Sequence, residues 1–319
     1  MVKKTAILMA LSGANVFCGE CPSLDFYFDV NKTIIMSDAV SGKTEADVIA
    51  GMFAEYEPKY ALFGMSGKET YYDFITQDLE ANGFQGQALK EQRNIELQFT
   101  LTEIKKKLNS KKKAELEQRV AKIESILLES KLYFGLIPSF ISFLKALSKQ
   151  KEYPYRIIFR TFGTDFRSIK QGVRTLFPHK DIDFVDGTFK GDEFIISEDL
   201  RYPRLDFHLI FSKHPAHTFF TFTDEYDFWK KTGFIKKGGK PFPIFFDQEQ
   251  ISIFFDDNVN LGIILPYDGH TQSTEIDSDL LQSVLRGVNP LQATENENYY
   301  IEEFEALKQK IASKLLHRK

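Results

Sequence analysis

The chain has 319 residues, 43% of them hydrophobic, enough to bury one large core or a core domain with an insertion. Its 41 basic and 45 acidic residues leave a formal charge of −4, which offers no attractive field to nucleic acid or to an anionic membrane surface. No run reaches the roughly 20 consecutive apolar residues of an internal transmembrane helix.

Residues 1–21 have two readings. A basic start followed by "TAILMALSGANVF" has the layout of a secretory signal peptide, while Ser12, Gly13 and Asn15 dilute its apolar stretch and suit an N-terminal extension packed on the domain. That imperfection favours the cytoplasm over secretion. Cys18 and Cys21 form "CGEC", with the spacing of a redox motif or half a zinc site. No second cysteine pair exists to complete such a site, so they are read as incidental thiols.

Short apolar runs then recur along the chain. They span Phe26 to Phe28, Ile157 to Phe159, Phe194 to Ile196, His208 to Phe211, Ile251 to Phe255 and Ile263 to Leu265. Several are continuous rather than alternating, as in strands covered on both faces, and this predicts an α/β domain with a parallel, helix-flanked sheet. The 31 phenylalanines are spread through such segments and read as core. Between about 86 and 150, charge combines with Leu, Ile and Val at three-to-four spacing, which predicts amphipathic helix. Acids intersperse the lysines at 105–107 and 111–113, as on a solvated helical face. Further on, "GDEFIIS", "LDFHLIFS" and "HTFFTFTDEY" are strand-like, and the C-terminal "YYIEEFEALKQKIASKLLHRK" is helical by pattern.

Ligands of open α/β sheets bind beyond the carboxyl ends of the strands, so polar residues that close apolar runs are the candidates for chemistry. Asp29 follows "FYF", Thr161 follows "RIIFR", and Asp256 and Asp257 follow "ISIFF". Lys240 stands in "GGKPFP" just upstream of the acidic pair. Each alone also suits a turn or helix cap. Two other patterns fail. "SGKTE" at 41–45 lacks the first glycine of a P-loop, and the proline in "HPAH" opposes a helix that would present His214 and His217 to one metal.

In their order, "FYFDVNKTI", "IIFRTFGTD", "KPFP" and "IFFDDN" resemble the four motifs of the haloacid dehalogenase-like (HAD) hydrolase superfamily. The resemblance covers residues 25–260 and implies a three-layer Rossmann-like fold with a central parallel sheet. Its core domain would comprise residues 22–43 and 151–319, with a helical cap inserted at 44–150. It implies a phosphatase or phosphotransferase in which Asp29 is the nucleophile and forms an aspartyl phosphate. Thr161, Phe162 and Lys240 would hold the phosphoryl group, and Asp29, Asp256, Asp257 and the backbone carbonyl of Asn31 would hold Mg²⁺.

One departure stands at residue 31, where the family pattern has a second aspartate that protonates the leaving group. Asn31 has no titratable proton, and loss of general acid–base help costs about 10²- to 10⁴-fold in rate. Good leaving groups such as phenolic or acyl phosphates, a substitute acid among Asp38, Asp165 and His270, or a site that binds without turnover would each accommodate it. The implied substrate is a phosphorylated small molecule or a phosphoprotein. The rival reading is a HAD-like binding protein that recruits a protein partner through the helical insertion.

Overall fold

The computed structural model describes residues 22–37, 43–57, 69–151, 153–245, 250–259 and 262–316. The N-terminal signal or extension, Cys18, Cys21 and Asp38 lie outside the described residues, as do parts of "SGKTE".

Ten strands and eleven α-helices are described. The strands are β1 (Ser23–Asp29), β2 (Tyr155–Thr161), β3 (Phe184–Lys190), β4 (Glu193–Ser197), β5 (Leu200–Pro203), β6 (Phe219–Thr223), β7 (Lys240–Ile244), β8 (Gln250–Asp256), β9 (Ile264–Asp268) and β10 (Leu285–Gly287). The helices are α1 (Glu45–Tyr56), α2 (Tyr71–Ala81), α3 (Gly86–Gln98), α4 (Thr100–Lys107), α5 (Ser110–Ser130), α6 (Pro138–Leu147), α7 (Phe166–Leu176), α8 (Tyr226–Lys231), α9 (Ser278–Val284), α10 (Pro290–Glu295) and α11 (Tyr299–Leu316).

Eight strands form one sheet in the order β10-β8-β1-β2-β6-β3-β4-β5. The six from β10 to β3 are parallel, and β4 and β5 extend the β3 edge as an antiparallel meander. The long interval between Thr161 and Lys240 thus adds sheet, as its apolar runs predict. One of those runs behaves otherwise. "LDFHLIFS" lies in 3-10 turns over Arg204–Lys213 rather than in a strand. Phe207, Ile210 and Phe211 are buried there, a three-to-four spacing that puts them on one side of a helical coil, where strand alternation would have split them between two faces.

Period-two alternation sends the central strands' side chains to two apolar layers. Phe26 and Phe28 of β1, Ile157 and Phe159 of β2, and Ile253 and Phe255 of β8 join one cluster with helices α1 to α7, α10 and α11. Tyr27, Ile158 and Phe254, between them in sequence, point the other way. That opposite layer is closed by the two-stranded parallel ribbon β7·β9, the 204–213 turns and α9 instead of long helices. The result is a three-layer α/β fold with a central, mostly parallel sheet.

Helices of the 44–150 segment are continuous with the sheet's own core. In α6, Phe140 and Phe143 pack edge-on against Phe28 and Phe26, with ring centroids 4.9 and 5.3 Å apart. At the other end of the segment, α1 is held by a capping box in which Thr44 and Asp47 satisfy each other's backbone N–H groups, and its apolar face buries Val48, Ile49, Met52 and Phe53. The C-terminal end of α1 lies over the carboxyl edge of the sheet. Tyr56 there donates to the Asp257 carbonyl at 3.4 Å, and Glu55 meets Lys32 at 3.3 Å.

Candidate active site

Parallel pairing dictates what gathers at the carboxyl edge. Phe28 is level with Phe255, so the next residues, Asp29 and Asp256, end adjacent strands side by side. Asp29 is also level with Arg160, which brings Thr161 to the same edge from the other neighbour. Asp29 shares a strand face with Tyr27, the face toward the β7·β9 ribbon. From that ribbon comes Lys240, the first residue of β7. Its ammonium donates to Asp29 Oδ1 and, at 2.9 Å, to Asp256 Oδ2.

Lys240 and Asp29 are 211 residues apart in the chain, and each of the three side chains is nearly closed to solvent. Lys240 is 1% exposed, Asp256 0% and the Asp29 side chain 12%, so Asp29 is the group of the three that solvent can reach. Burial works against the Lys240 ammonium, but Asp256 and Asp29 outweigh it and raise its pKa above the ordinary lysine value. The nucleophile candidate is pushed in the other sense. Burial raises the Asp29 pKa, Lys240 opposes and Asp256 reinforces the shift, and the result is about 7.

Asp257 adds a third carboxylate. Burial together with the like charges of Asp256 and Asp29 holds its pKa well above the carboxylate range. Asn258 organises this corner, its backbone N–H donating to Asp256 Oδ1 and its side-chain amide to Asp257 Oδ1, both at 2.7 Å. Asp29 and Asp256 therefore share one ammonium in direct contact, while Asp257 feels both carboxylates, Lys32 and Lys240 through space. Among the described residues no group of three or more acidic, histidine or cysteine side chains is arranged to hold a metal ion. A Mg²⁺ ion needs only one or two carboxylates when water and phosphate oxygens complete its shell, so the excess negative charge and the donors present suit an ion of that kind.

Thr161 is buried, and its hydroxyl accepts from the Gly163 N–H at 2.9 Å, which leaves its own proton to donate. Asn31 follows in the tight loop after β1, where Lys32 takes a positive φ of 57° and returns its N–H to the Ile35 carbonyl. The Asn31 side chain donates to Asp165 Oδ2 at 3.3 Å, so Asp165, one of the substitute acids, stands beside it. Asp165 precedes α7 yet makes no side-chain cap there. His270 packs on Phe245, 5.3 Å between ring centroids, after β9. His214 and His217 are set against Phe220 and Tyr155 and join no common ligand set.

Two supports of the site escape a sequence reading. Arg160, fully buried, makes a bidentate pair with Asp224 and donates to the Pro241 carbonyl at 2.8 Å, tying the backbone beside Lys240 to the sheet. Asp224 in turn donates its backbone N–H to the Thr161 carbonyl at 2.7 Å. The acid after the apolar run "FFTFT" was a visible signal of the same kind as Asp29. Arg160 had none, because an arginine at the end of a strand run usually points to solvent.

Two hollows at the amino edge of the sheet are both lined by Tyr155, Lys180 and His217.

A scan against protein-family models finds no match, and no curated protein matches in sequence. Among solved structures, the chain resembles a haloacid dehalogenase-like family hydrolase from Xanthomonas campestris with 14% identity, covering 92% of this chain and 100% of that one. The TM-score is 0.30, too low for that likeness to bear on chemistry.

Proposed function

We propose that the protein is a HAD-like phosphohydrolase or phosphotransferase, dependent on Mg²⁺, that works through an aspartyl phosphate on Asp29. The observation that carries this reading is the Lys240 ammonium bridging Asp29 and Asp256 at the carboxyl ends of two adjacent parallel strands.

Asp29 is the attacking carboxylate, and its burial next to Asp256 keeps it poorly solvated and hence reactive once ionised. Lys240 orients it and offsets the charge of the incoming phosphoryl oxygens, while the Thr161 hydroxyl and the backbone at Phe162 bind those oxygens. Asp29, Asp256, Asp257 and the Asn31 carbonyl would hold Mg²⁺. The ion, when bound, supplies the positive charge that three carboxylates and a phosphate require. Within the 44–150 segment a capping role falls to the part that follows the end of α1, where Tyr56 and Glu55 stand beside Asp257 and Lys32, while α6 packs on the sheet itself.

The test is phosphate release from an aryl phosphate, with and without Mg²⁺, by the unaltered protein and by Asp29→Ala. Metal-dependent release lost in the variant supports the reading, and equal release from both proteins would sink it. A second reading, a phosphate-binding protein without turnover, is favoured by the amide at Asn31. It predicts that phosphate binds while neither the unaltered protein nor Asn31→Asp releases product.

A further inference from the structure

Beside the charged cluster stands a wall of four aromatic rings that the phosphoryl chemistry does not use. Phe162, the residue after Thr161, lies with its ring centroid 5.3 Å from Lys240 Nζ. Its other neighbours are Trp229, stacked on it at 5.6 Å with an interplanar angle of 11°, and Tyr226, edge-on at 5.8 Å. Phe234 closes the group against Trp229 at 5.0 Å. The wall therefore runs without a break from the ammonium to solvent, where Tyr226 is 42% and Phe234 45% exposed. Ile235 beside them is 54% exposed.

Single exposed apolar side chains are ordinary, but contiguous rings leading to a buried charged site form a surface with apolar area left to cover. Trp229 adds a polar mark, an indole N–H that is buried and has no hydrogen-bond partner among the described residues. A π-face next to a phosphoryl site selects for a flat, apolar group joined to the phosphate.

A separate line of chemistry points to the same group. With Asn31 in place of an acid, the leaving oxygen departs as an anion. A phenol ionises near pKa 10, as tyrosine does, whereas an aliphatic alcohol lies near the ~16 of water. Of these two, the aryl oxygen is the one that leaves readily without a proton.

We propose that the aromatic wall of Phe162, Trp229, Tyr226 and Phe234 holds the ring of an aryl phosphate monoester, which makes this the substrate class of the site. The proposal rests on the phospho-aspartate reading above. In the step it describes, an Asp29 oxygen forms a bond to phosphorus while the bond from phosphorus to the aryl oxygen breaks, and the electron pair leaves on the aryl oxide. The aryl oxide takes its proton from solvent. Water then cleaves the aspartyl phosphate, which regenerates Asp29 and yields inorganic phosphate.

Trp229 is the single tryptophan of the chain, so its fluorescence reports on this wall alone. The experiment titrates the full chain, in Mg²⁺ buffer, with phenylphosphonate and with methylphosphonate, neither of which can be hydrolysed at an ester oxygen. Phenylphosphonate is expected to bind about tenfold more tightly and to change the emission. In Tyr226→Ala/Phe234→Ala, at two exposed positions, that preference is expected to fall to about twofold with unchanged circular dichroism. Turnover of phenyl phosphate beside a phosphotyrosyl peptide separates a free aryl ester from a protein-borne one, and a preference for either supports the proposal. Equal binding of the two phosphonates, with Asp29-dependent phosphate release intact, overturns the aromatic wall and leaves the phospho-aspartate reading standing. No binding and no Asp29-dependent release overturns both.

Discussion

Strand β1 carries a buried aspartate near each edge of the sheet; burial raises the pKa of both, and they differ in how many acids share the neighbouring cation. Asp25, at the amino edge, receives a bidentate pair from Arg156 at 2.5 and 3.1 Å and a further hydrogen bond from Gln250. Arg156 is itself anchored to Ser23 at 3.1 Å and covered by the Phe211 ring. One carboxylate meets one guanidinium, and every strong donor is spent inside the cluster. Asp29, four residues on and on the same strand face, shares a single ammonium with Asp256 while Asp257 adds a third acid. A balanced buried pair holds the fold in register, whereas an imbalanced one has unmet demand for positive charge and for a ligand. Burial alone does not distinguish the two aspartates. The count of partners does.

Substitutions at the two ends should separate these roles, and the largest effect is expected at Asp29. Asp29→Ala should lower phosphate release by at least about 10⁴-fold while the melting temperature stays close to that of the unaltered chain, read by a coupled phosphate assay and thermal denaturation. Asn31→Asp should act in the opposite sense, raising release from alkyl phosphates by about 10²- to 10⁴-fold and from aryl phosphates far less. The new carboxyl would stand against Asp165, which favours its protonated, proton-donating form. A comparison of kcat/KM on alkyl and aryl esters checks this, and equal gains on both would refute the leaving-group argument.

At the balanced end, Asp25→Ala should destabilise the fold by about 3 kcal/mol, because it strands Arg156 in a mostly buried position. Phosphate release per folded molecule should be unchanged. Urea denaturation beside the activity assay would show whether stability and turnover part company as expected.

The smallest expected effect is on pH dependence, in metal-free buffer. The folded pKa of Asp29, about 7, lies above its ordinary value of 3.8, so the folded state binds this proton more tightly than the unfolded chain does. Its contribution to stability is complete below about pH 4 and is lost as pH rises through about 7. Asp29→Asn, which cannot ionise, should therefore overtake the unaltered protein in melting temperature above pH 7 by roughly a few degrees. Millimolar Mg²⁺ should shrink the difference. Turnover follows the same ionisation in reverse, since the nucleophile is the carboxylate, and should fall once Asp29 is protonated, at a pH that Mg²⁺ moves below the metal-free value.

Legibility in the sequence followed how local each feature is. Asp29, Thr161 and Asp256 were found because a strand that ends in a polar residue is a contiguous pattern, and parallel pairing then puts such ends at one edge. Lys240 was found through the "KPFP" resemblance, but that its ammonium bridges two carboxylates depends on a ribbon crossing the sheet face. The strand reading of "LDFHLIFS" failed because apolar content alone does not distinguish a strand from a short helical coil, and packing against the opposite sheet face decided it.

The sequence by itself determined an α/β chain with a large aromatic core, a charged helical segment before residue 150, and the residues that end its strands. It also determined that residue 31 offers an amide where an acid would serve catalysis. Tertiary structure alone decided that Asp25 is balanced and Asp29 is not. It also decided that Arg160 turns inward to Asp224 and Pro241, and that Phe162 meets Trp229 and Phe234 beside Lys240. The reason is range. Alternation and strand ends are set by neighbours in the chain, whereas charge balance and ring contacts join residues tens to hundreds of positions apart, and only the folded sheet brings them within reach.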